Sequence, residues 1–117
     1  MKRLLVLIII TGFIAYGQRI YQKSDLNICN VGFTTENKTG KIANGILKEY
    51  YESGELQKET PYEQGKINGV EKIYYKSGKL LWETPYVGGK QHGIEKSYYS
   101  SGKPQRIIYY SNGKING

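Results

Sequence analysis

The chain predicts an all-β fold, an elongated antiparallel sheet of stacked β-hairpin repeats with a 24-residue period. Glycines recur in phase as Gly45, Gly69, Gly93 and Gly117, as Gly54, Gly78 and Gly102, and as Gly65, Gly89 and Gly113. Aromatic residues keep the same interval, in Tyr50-Tyr51, Tyr74-Tyr75 and Tyr98-Tyr99, then in Tyr62, Tyr86 and Tyr110. No stretch carries a helical apolar period, and Tyr, Ile, Val and Thr dominate the segments between glycines, which suits pleated strands.

Residues 1–17 read as a cleaved export signal. Lys2-Arg3 precede the unbroken apolar run Leu4 to Ile10, Phe13-Ile14 extend it, and Ala15-Tyr16-Gly17 place small residues where a signal peptidase reads, leaving Gln18 as the new N-terminus. The run is too short for a membrane span; an uncleaved anchor and a buried apolar strand are the alternatives. The expected location is therefore exported, in the periplasm or secreted. Residues 18–40 form a leader or cap. Ile28 to Thr35 suits a strand capping the first hairpin, with Asn37-Lys38-Thr39-Gly40 as a turn; a disordered leader is the other reading.

The repeats fill residues 41–117, as Lys41 to Gly65, Lys66 to Gly89, Lys90 to Gly113 and the opening Lys114-Ile115-Asn116-Gly117 of a fourth unit. Each unit should be one hairpin turning at Ser53-Gly54, Ser77-Gly78 or Ser101-Gly102. A two-residue loop there sets Tyr51 opposite Leu56, Lys48 opposite Glu59, Tyr75 opposite Leu80, Ile73 opposite Trp82 and Lys72 opposite Glu83. The recurring Lys–Glu pair supports that register, because opposite charges across strands attract. One face then carries Tyr75, Ile73, Leu80, Trp82, Thr84 and Tyr86, and the other Val70, Lys72, Tyr74, Leu81, Glu83 and Pro85. The third unit replaces the Glu-Thr-Pro tract with Ile107-Ile108-Tyr109 and so removes the partner of Lys96. A lone hairpin is marginal in water, so stacking of the three units is obligatory.

The chain has 117 residues and a formal net charge of +7, enough for one domain. The balance drifts from −2 in residues 41–65 to +2 in 66–89 and +3 in 90–113, favouring an acidic partner or anionic lipid toward the C-terminal end. Cys29 is the single cysteine, so no internal disulfide supports the fold.

The pattern N-G-x-x-K-x-Y-Y-x-S-G-x-L-x-x-E-T-P-Y-x-x-G-K resembles the bacterial MORN repeat variant. Gly69, Tyr74-Tyr75, Gly78, Leu80, Glu83, Tyr86 and Gly89-Lys90 carry the match most fully. The resemblance implies an elongated sheet of stacked hairpins and a non-catalytic role in binding proteins or membranes. Its nearest kin would be the YwqK-type antitoxin family, whose members are paired with a toxin. An export signal is out of place in a cytosolic antitoxin and turns the expectation toward a periplasmic immunity role.

Catalysis is not expected. His92 is the only histidine and fills the turn slot of Asn68 and Asn116, and no partner shares its spacing for a metal site. Glu59 and Glu83 recur opposite lysines as sheet-surface pairs rather than as a catalytic dyad. Neighbouring strand residues point to opposite faces, so one tyrosine of each doublet should pack: Tyr51, Tyr75 and Tyr99, alongside the structural Gly54, Gly78, Gly102, Gly69 and Gly93. Tyr50, Tyr74 and Tyr98 are the freer set and, with Trp82 and Tyr86, the candidate protein-binding residues, since aromatic anchors dominate interfaces. The expected role is to bind another protein, a toxin in the sharpest version, through the sheet face or its open edge. An anionic membrane surface, an envelope structural repeat, edge-mediated self-association or membership of a longer array are the alternatives; no cofactor and no nucleic acid are expected.

Overall fold

The computed structural model describes residues 19–28, 34–36 and 43–116. The expected export signal, Cys29, the expected turn at 37–40 and Gly117 lie outside them. Three hairpins form the body of the protein. They are β4 (Gly45–Tyr50) with β5 (Leu56–Glu63), β7 (Gly69–Tyr74) with β8 (Leu80–Val87), and β10 (Gly93–Tyr98) with β11 (Pro104–Ser111). Short strands β6 (Lys66–Ile67), β9 (Lys90–Gln91) and β12 (Lys114–Ile115) fold back on the end of each hairpin. The parts join into one ten-stranded sheet running β1-β4-β5-β7-β8-β10-β11-β12, where β1 is Ile20–Tyr21, β6 pairs β5 and β9 pairs β8. The all-β stacked-hairpin expectation is what the chain adopts.

The hairpin tips differ from the expected two-residue loops. Tyr51 N–H donates to Glu55 O at 2.9 Å and Gly54 N–H to Tyr51 O at 2.9 Å, and both bonds recur at Tyr75 and Tyr99. The loop is thus three residues, Glu52-Ser53-Gly54, closed by a glycine at positive φ, followed by a bulge. The bulge absorbs one residue. Tyr50, not Tyr51, faces Leu56, and Tyr74, not Tyr75, faces Leu80, whereas Lys48–Glu59, Lys72–Glu83 and Ile73–Trp82 are paired as expected. Leu80 consequently sides with Tyr74 instead of Trp82, and Tyr75 leaves the strand.

Between units the chain reverses at Gln64-Gly65, Gly88-Gly89 and Asn112-Gly113, with φ positive at both residues of each pair. That is the twist-matched hairpin turn that asparagine and glycine favour. A side chain from the preceding segment clamps each turn: Asn44 Oδ1 accepts from Gln64 N–H (2.9 Å), Asn68 Oδ1 from Gly88 N–H (3.1 Å) and His92 Nδ1 from Asn112 N–H (3.3 Å). His92 therefore does the work of an asparagine. The next strand then starts at Gly69 or Gly93, where φ is 116° or 114° and a Cβ would sit 3.1 Å from Pro61 or Pro85 Cγ. Glycine is needed there for both reasons.

The first hairpin is capped, but not by a strand over Ile28 to Thr35. β1 adds in parallel beside β4, pairing Ile20 with Ile46 and Tyr21 with Leu47, and Arg19 O accepts from Ile46 N–H at 2.7 Å. Ile28 and Thr34–Thr35 instead belong to two strands, β2 (Leu26–Ile28) and β3 (Thr34–Glu36), which form a separate two-stranded sheet. The cap carries the best-buried cluster of the described residues, in which Tyr21 and Leu26 meet Ala43, Leu47 and Tyr62, with Ile67 at its margin. The Tyr21 hydroxyl also accepts from Asn44 N–H (3.2 Å) and donates to Asn44 O (3.1 Å), tying cap to repeat.

Candidate functional site

The period-2 alternation of each strand divides the sheet into two unlike faces. On the first, Leu47, Thr60, Glu71, Thr84, Glu95 and Ile108 form one row, and Glu49, Lys58, Ile73, Trp82, Ser97 and Arg106 the next. This face holds the core, and Leu47, Thr60, Thr84, Glu95, Ser97 and Ile108 are buried in it. Its acids are drawn inward by threonines. Thr60 Oγ1 donates to Glu71 Oε2 at 3.2 Å, and Thr84 Oγ1 to Glu95 Oε2 at 3.0 Å. Glu71 also meets Lys58 Nζ at 3.6 Å, but Trp82 stands at the Lys58 position one unit on, and among the described residues Glu95 receives only Gln91 Nε2 at 3.3 Å besides Thr84. Tyr86 lies on this face, and burial, reinforced by Glu71, raises its phenol pKa.

The second face is open. A ladder of alternating charge crosses all three units in register, Lys48–Glu59–Lys72–Glu83–Lys96, and ends at Ile107. Each step opposes unlike charges, so the row is largely self-neutralising. Tyrosines brace it from one side: Tyr74 hydroxyl donates to Glu59 Oε1 at 2.6 Å and Tyr98 hydroxyl to Glu83 Oε1 at 2.8 Å. Burial and the Glu59 bond push the Tyr74 phenol up to about 12, and the bond to Glu83 raises Tyr98. On the other side of the ladder the paired residues are apolar: Val70 with Pro85 and Ile94 with Tyr109. Val70 (43%), Ile94 (42%), Ile107 (52%) and Tyr109 (50%) are exposed. Ile94 and Tyr109 sit beside Lys96 and Ile107 in consecutive pairs, so three of the four form one patch on the last hairpin.

The aromatic residues singled out from sequence are therefore divided. Tyr50, Tyr74 and Tyr98 share the open face, Tyr50 exposed and the other two half-buried against the ladder. Trp82 and Tyr86 are half-buried on the opposite face, so the five do not form one surface. Of the tyrosines expected to pack, Tyr51 and Tyr75 reach across to the next unit, where their hydroxyls donate to Tyr74 O (2.6 Å) and Tyr98 O (2.7 Å). Lys76 Nζ lies 5.5 Å above the Tyr51 ring. Tyr99 departs from the set: its ring is 51% exposed, with no following unit to reach among the described residues. Sequence reasoning passed over Ile94, Ile107 and Tyr109 as surface residues. The signal was there, since Ile107 and Tyr109 replace Glu and Pro of the earlier units.

No group of histidine, cysteine, aspartate or glutamate that could hold a metal occurs among the described residues, and no helix there is long and apolar enough to cross a membrane.

The geometry is that of a stacked-hairpin repeat scaffold, its units joined by paired strands, clamped turns and tyrosine staples. The MORN repeat variant matches at residues 43–64, 67–87 and 91–112, more than half of the chain, and the chain belongs to that family. No curated protein and no solved structure matches it significantly. MORN repeats often mediate binding to proteins or membranes.

Proposed function

We propose that this is a non-catalytic module that binds another protein through the open face of its sheet. The observation that carries this reading is the set of exposed apolar residues Val70, Ile94, Ile107 and Tyr109, three of them in one patch, beside and at the end of a self-neutralised Lys–Glu ladder. Apolar groups flanked by balanced charge suit a protein surface, where aromatic and aliphatic anchors do the binding and the charges set orientation. Lysines held opposite glutamates are a poor electrostatic lure for anionic lipid. Tyr50, Tyr74 and Tyr98 line the same face and extend the contact area. Trp82 and Tyr86 serve the opposite face.

In its sharper form the module is exported and neutralises a toxin, as an immunity protein or antitoxin. The N-terminal apolar segment followed by Ala15-Tyr16-Gly17 supports export, and the family resemblance supports the toxin partner. Sequencing the N-terminus of the protein recovered from the periplasm should give Gln18 first; an intact Met1 there would remove the cleaved signal. Co-expression with the product of the adjacent gene tests the partner. Ile94→Glu together with Tyr109→Ser should abolish co-purification while the circular dichroism of the sheet persists, and unchanged recovery would refute the face as the contact. Binding of the native chain to anionic vesicles, steeply lost with salt, would favour a membrane partner instead.

A further inference from the structure

Each turn between units is held twice. Its second residue donates through the backbone, Gly65 N–H to Ala43 O at 2.9 Å, Gly89 N–H to Ile67 O at 2.9 Å and Gly113 N–H to Gln91 O at 2.8 Å. Its first residue, Gln64, Gly88 or Asn112, donates to the side-chain clamp, always from 20 residues earlier. The first two clamps are amide oxygens, which keep their lone pairs at any ordinary pH. The third is an imidazole nitrogen. His92 Nδ1 accepts only while it carries no proton, and an imidazole gains one within roughly pH 5 to 8. The site then sets one N–H against another, and the ring must turn away.

The neighbours do not offset that loss. Asn68 is also steadied through the other end of its amide, where Nδ2 donates to Glu63 Oε2 at 2.8 Å. Val87 stands in the Glu63 position one unit on, so among the described residues the carboxylate that grips Asn68 has no counterpart at His92. The charged and titratable groups that the register brings to this turn are Lys90 on β9, Tyr86 on β8, Tyr109 and Tyr110 on β11 and Lys114 on β12. A Cβ on Gly113 would lie 4.0 Å from Lys90 Cβ, which sets that lysine beside the same turn. Lysines and tyrosines ordinarily titrate at about 10. Glu95, on β10, is buried and bound by Thr84 and Gln91. His92 is therefore the group whose charge changes here. Asn112 meanwhile holds φ at 50°, in the left-handed region that asparagine tolerates at some cost.

We propose that His92 makes its turn a proton-operated hinge. Neutral, the imidazole closes the Asn112-Gly113 turn and fixes the direction of β12; protonated, it releases Asn112 N–H and loosens the strand that the turn delivers. The Gln64-Gly65 and Gly88-Gly89 turns stay closed throughout, because asparagine clamps do not titrate. Mild acid thus loosens the array at one chosen unit boundary. The device needs only the clamp and its turn, whatever strand lies beyond β12, and it operates whether or not the open face holds a partner.

The test follows the full chain by NMR between about pH 5 and 8. The Asn112 amide shift should track the titration of the His92 ring, while the Gln64 and Gly88 amides stay still. Hydrogen exchange, corrected for its intrinsic pH dependence, should show Asn112 losing protection by about three-fold in acid, which one exposed hydrogen bond sustains. Asn116 N–H, which donates to Tyr109 O at 2.6 Å and so reports the seating of β12, should lose protection with it. His92→Asn restores the residue found at Asn44 and Asn68, so the turn folds, and both responses should vanish with protection kept in acid. An Asn112 amide that ignores the His92 titration would overturn the proposal. A response that survives His92→Asn would do the same, by assigning it to Glu95 or to loosening of the whole sheet. Loss of protection at Asn112 with Asn116 unmoved would also overturn it, since the turn would open without acting as a hinge.

Discussion

The buried Thr84–Glu95 contact offers a sharp test because the same pair recurs one unit earlier in different surroundings. Thr84 is 4% and Glu95 5% exposed, and Glu95 depends on the Thr84 hydroxyl and on one longer bond from Gln91. Thr84→Val keeps the shape of the side chain but deletes the donor. A hydrogen bond to a charged group contributes about 1.5–3 kcal/mol, and a buried carboxylate left under-satisfied places the loss toward the upper part of that range. At Thr60→Val, Glu71 keeps Lys58, its bond to Thr60 is longer, and the side chain is 13% accessible, so the loss should be about 1 kcal/mol. The methyl gained in place of a hydroxyl is common to both variants and cancels in the comparison. Urea denaturation followed by the fluorescence of Trp82, the single tryptophan, reads both. Thr84→Val should be the more destabilising by about 1.5 kcal/mol, and in a Glu95→Gln background its cost should fall to about 1 kcal/mol, that of a neutral bond. Equal costs at Thr60 and Thr84, or no relief from Glu95→Gln, would refute the claim that the uncompensated carboxylate is what the hydroxyl serves.

Gly93→Ala should destabilise more than Gly78→Ala in the same denaturation assay, because both positions have positive φ but only Gly93 faces Pro85 at 3.1 Å; Pro85→Ala should recover part of the difference. Tyr75→Phe removes the hydroxyl that donates to Tyr98 O, and should cost about 1 kcal/mol, read as a lowered urea midpoint. Tyr74 titrates near 12 in the fold against an ordinary 10.0, so its proton stabilises the folded state fully below pH 10 and that contribution is lost as pH rises from 10 toward 12. An ultraviolet tyrosinate titration should show a late-titrating component, to which the raised Tyr86 and Tyr98 also contribute, that shrinks by one tyrosine in Tyr74→Phe; an unchanged amplitude in that variant would refute the assignment to Tyr74.

Much of this architecture could be read from residue order because a hairpin is a local object. Lys48–Glu59, Lys72–Glu83 and Ile73–Trp82 follow from counting outward from a glycine turn, and the loss of the Lys96 partner at Ile107 follows in the same way. The tip itself was misjudged by one residue. A serine–glycine pair is compatible with a two-residue loop or with the last two residues of a three-residue loop, and only the backbone conformation decides. The bulge restored the register, so the error stayed confined to Tyr50, Tyr51, Leu56, Tyr74, Tyr75 and Leu80. The candidate site was less legible. Alternation within each doublet picked Tyr50, Tyr74 and Tyr98, and Trp82 and Tyr86 joined them as aromatic anchors from the opposite face; alternation separates the two faces but does not say which one lies open.

Period, strand class and the pairing within each hairpin away from its tip were set by the sequence alone, through turn residues and alternation acting over a few neighbours. The tertiary structure decided everything that crosses from one unit to the next. Glu59 meets Lys72, Glu83 meets Lys96, Tyr51 and Tyr75 staple forward onto the following tyrosine carbonyls, and Ile20–Tyr21 joins β4 in parallel. Those contacts depend on where the clamped turns deliver the next strand. The continuous charge ladder exists only once the three hairpins lie side by side, whereas the apolar patch where it ends, Ile94, Ile107 and Tyr109, lies within the last hairpin.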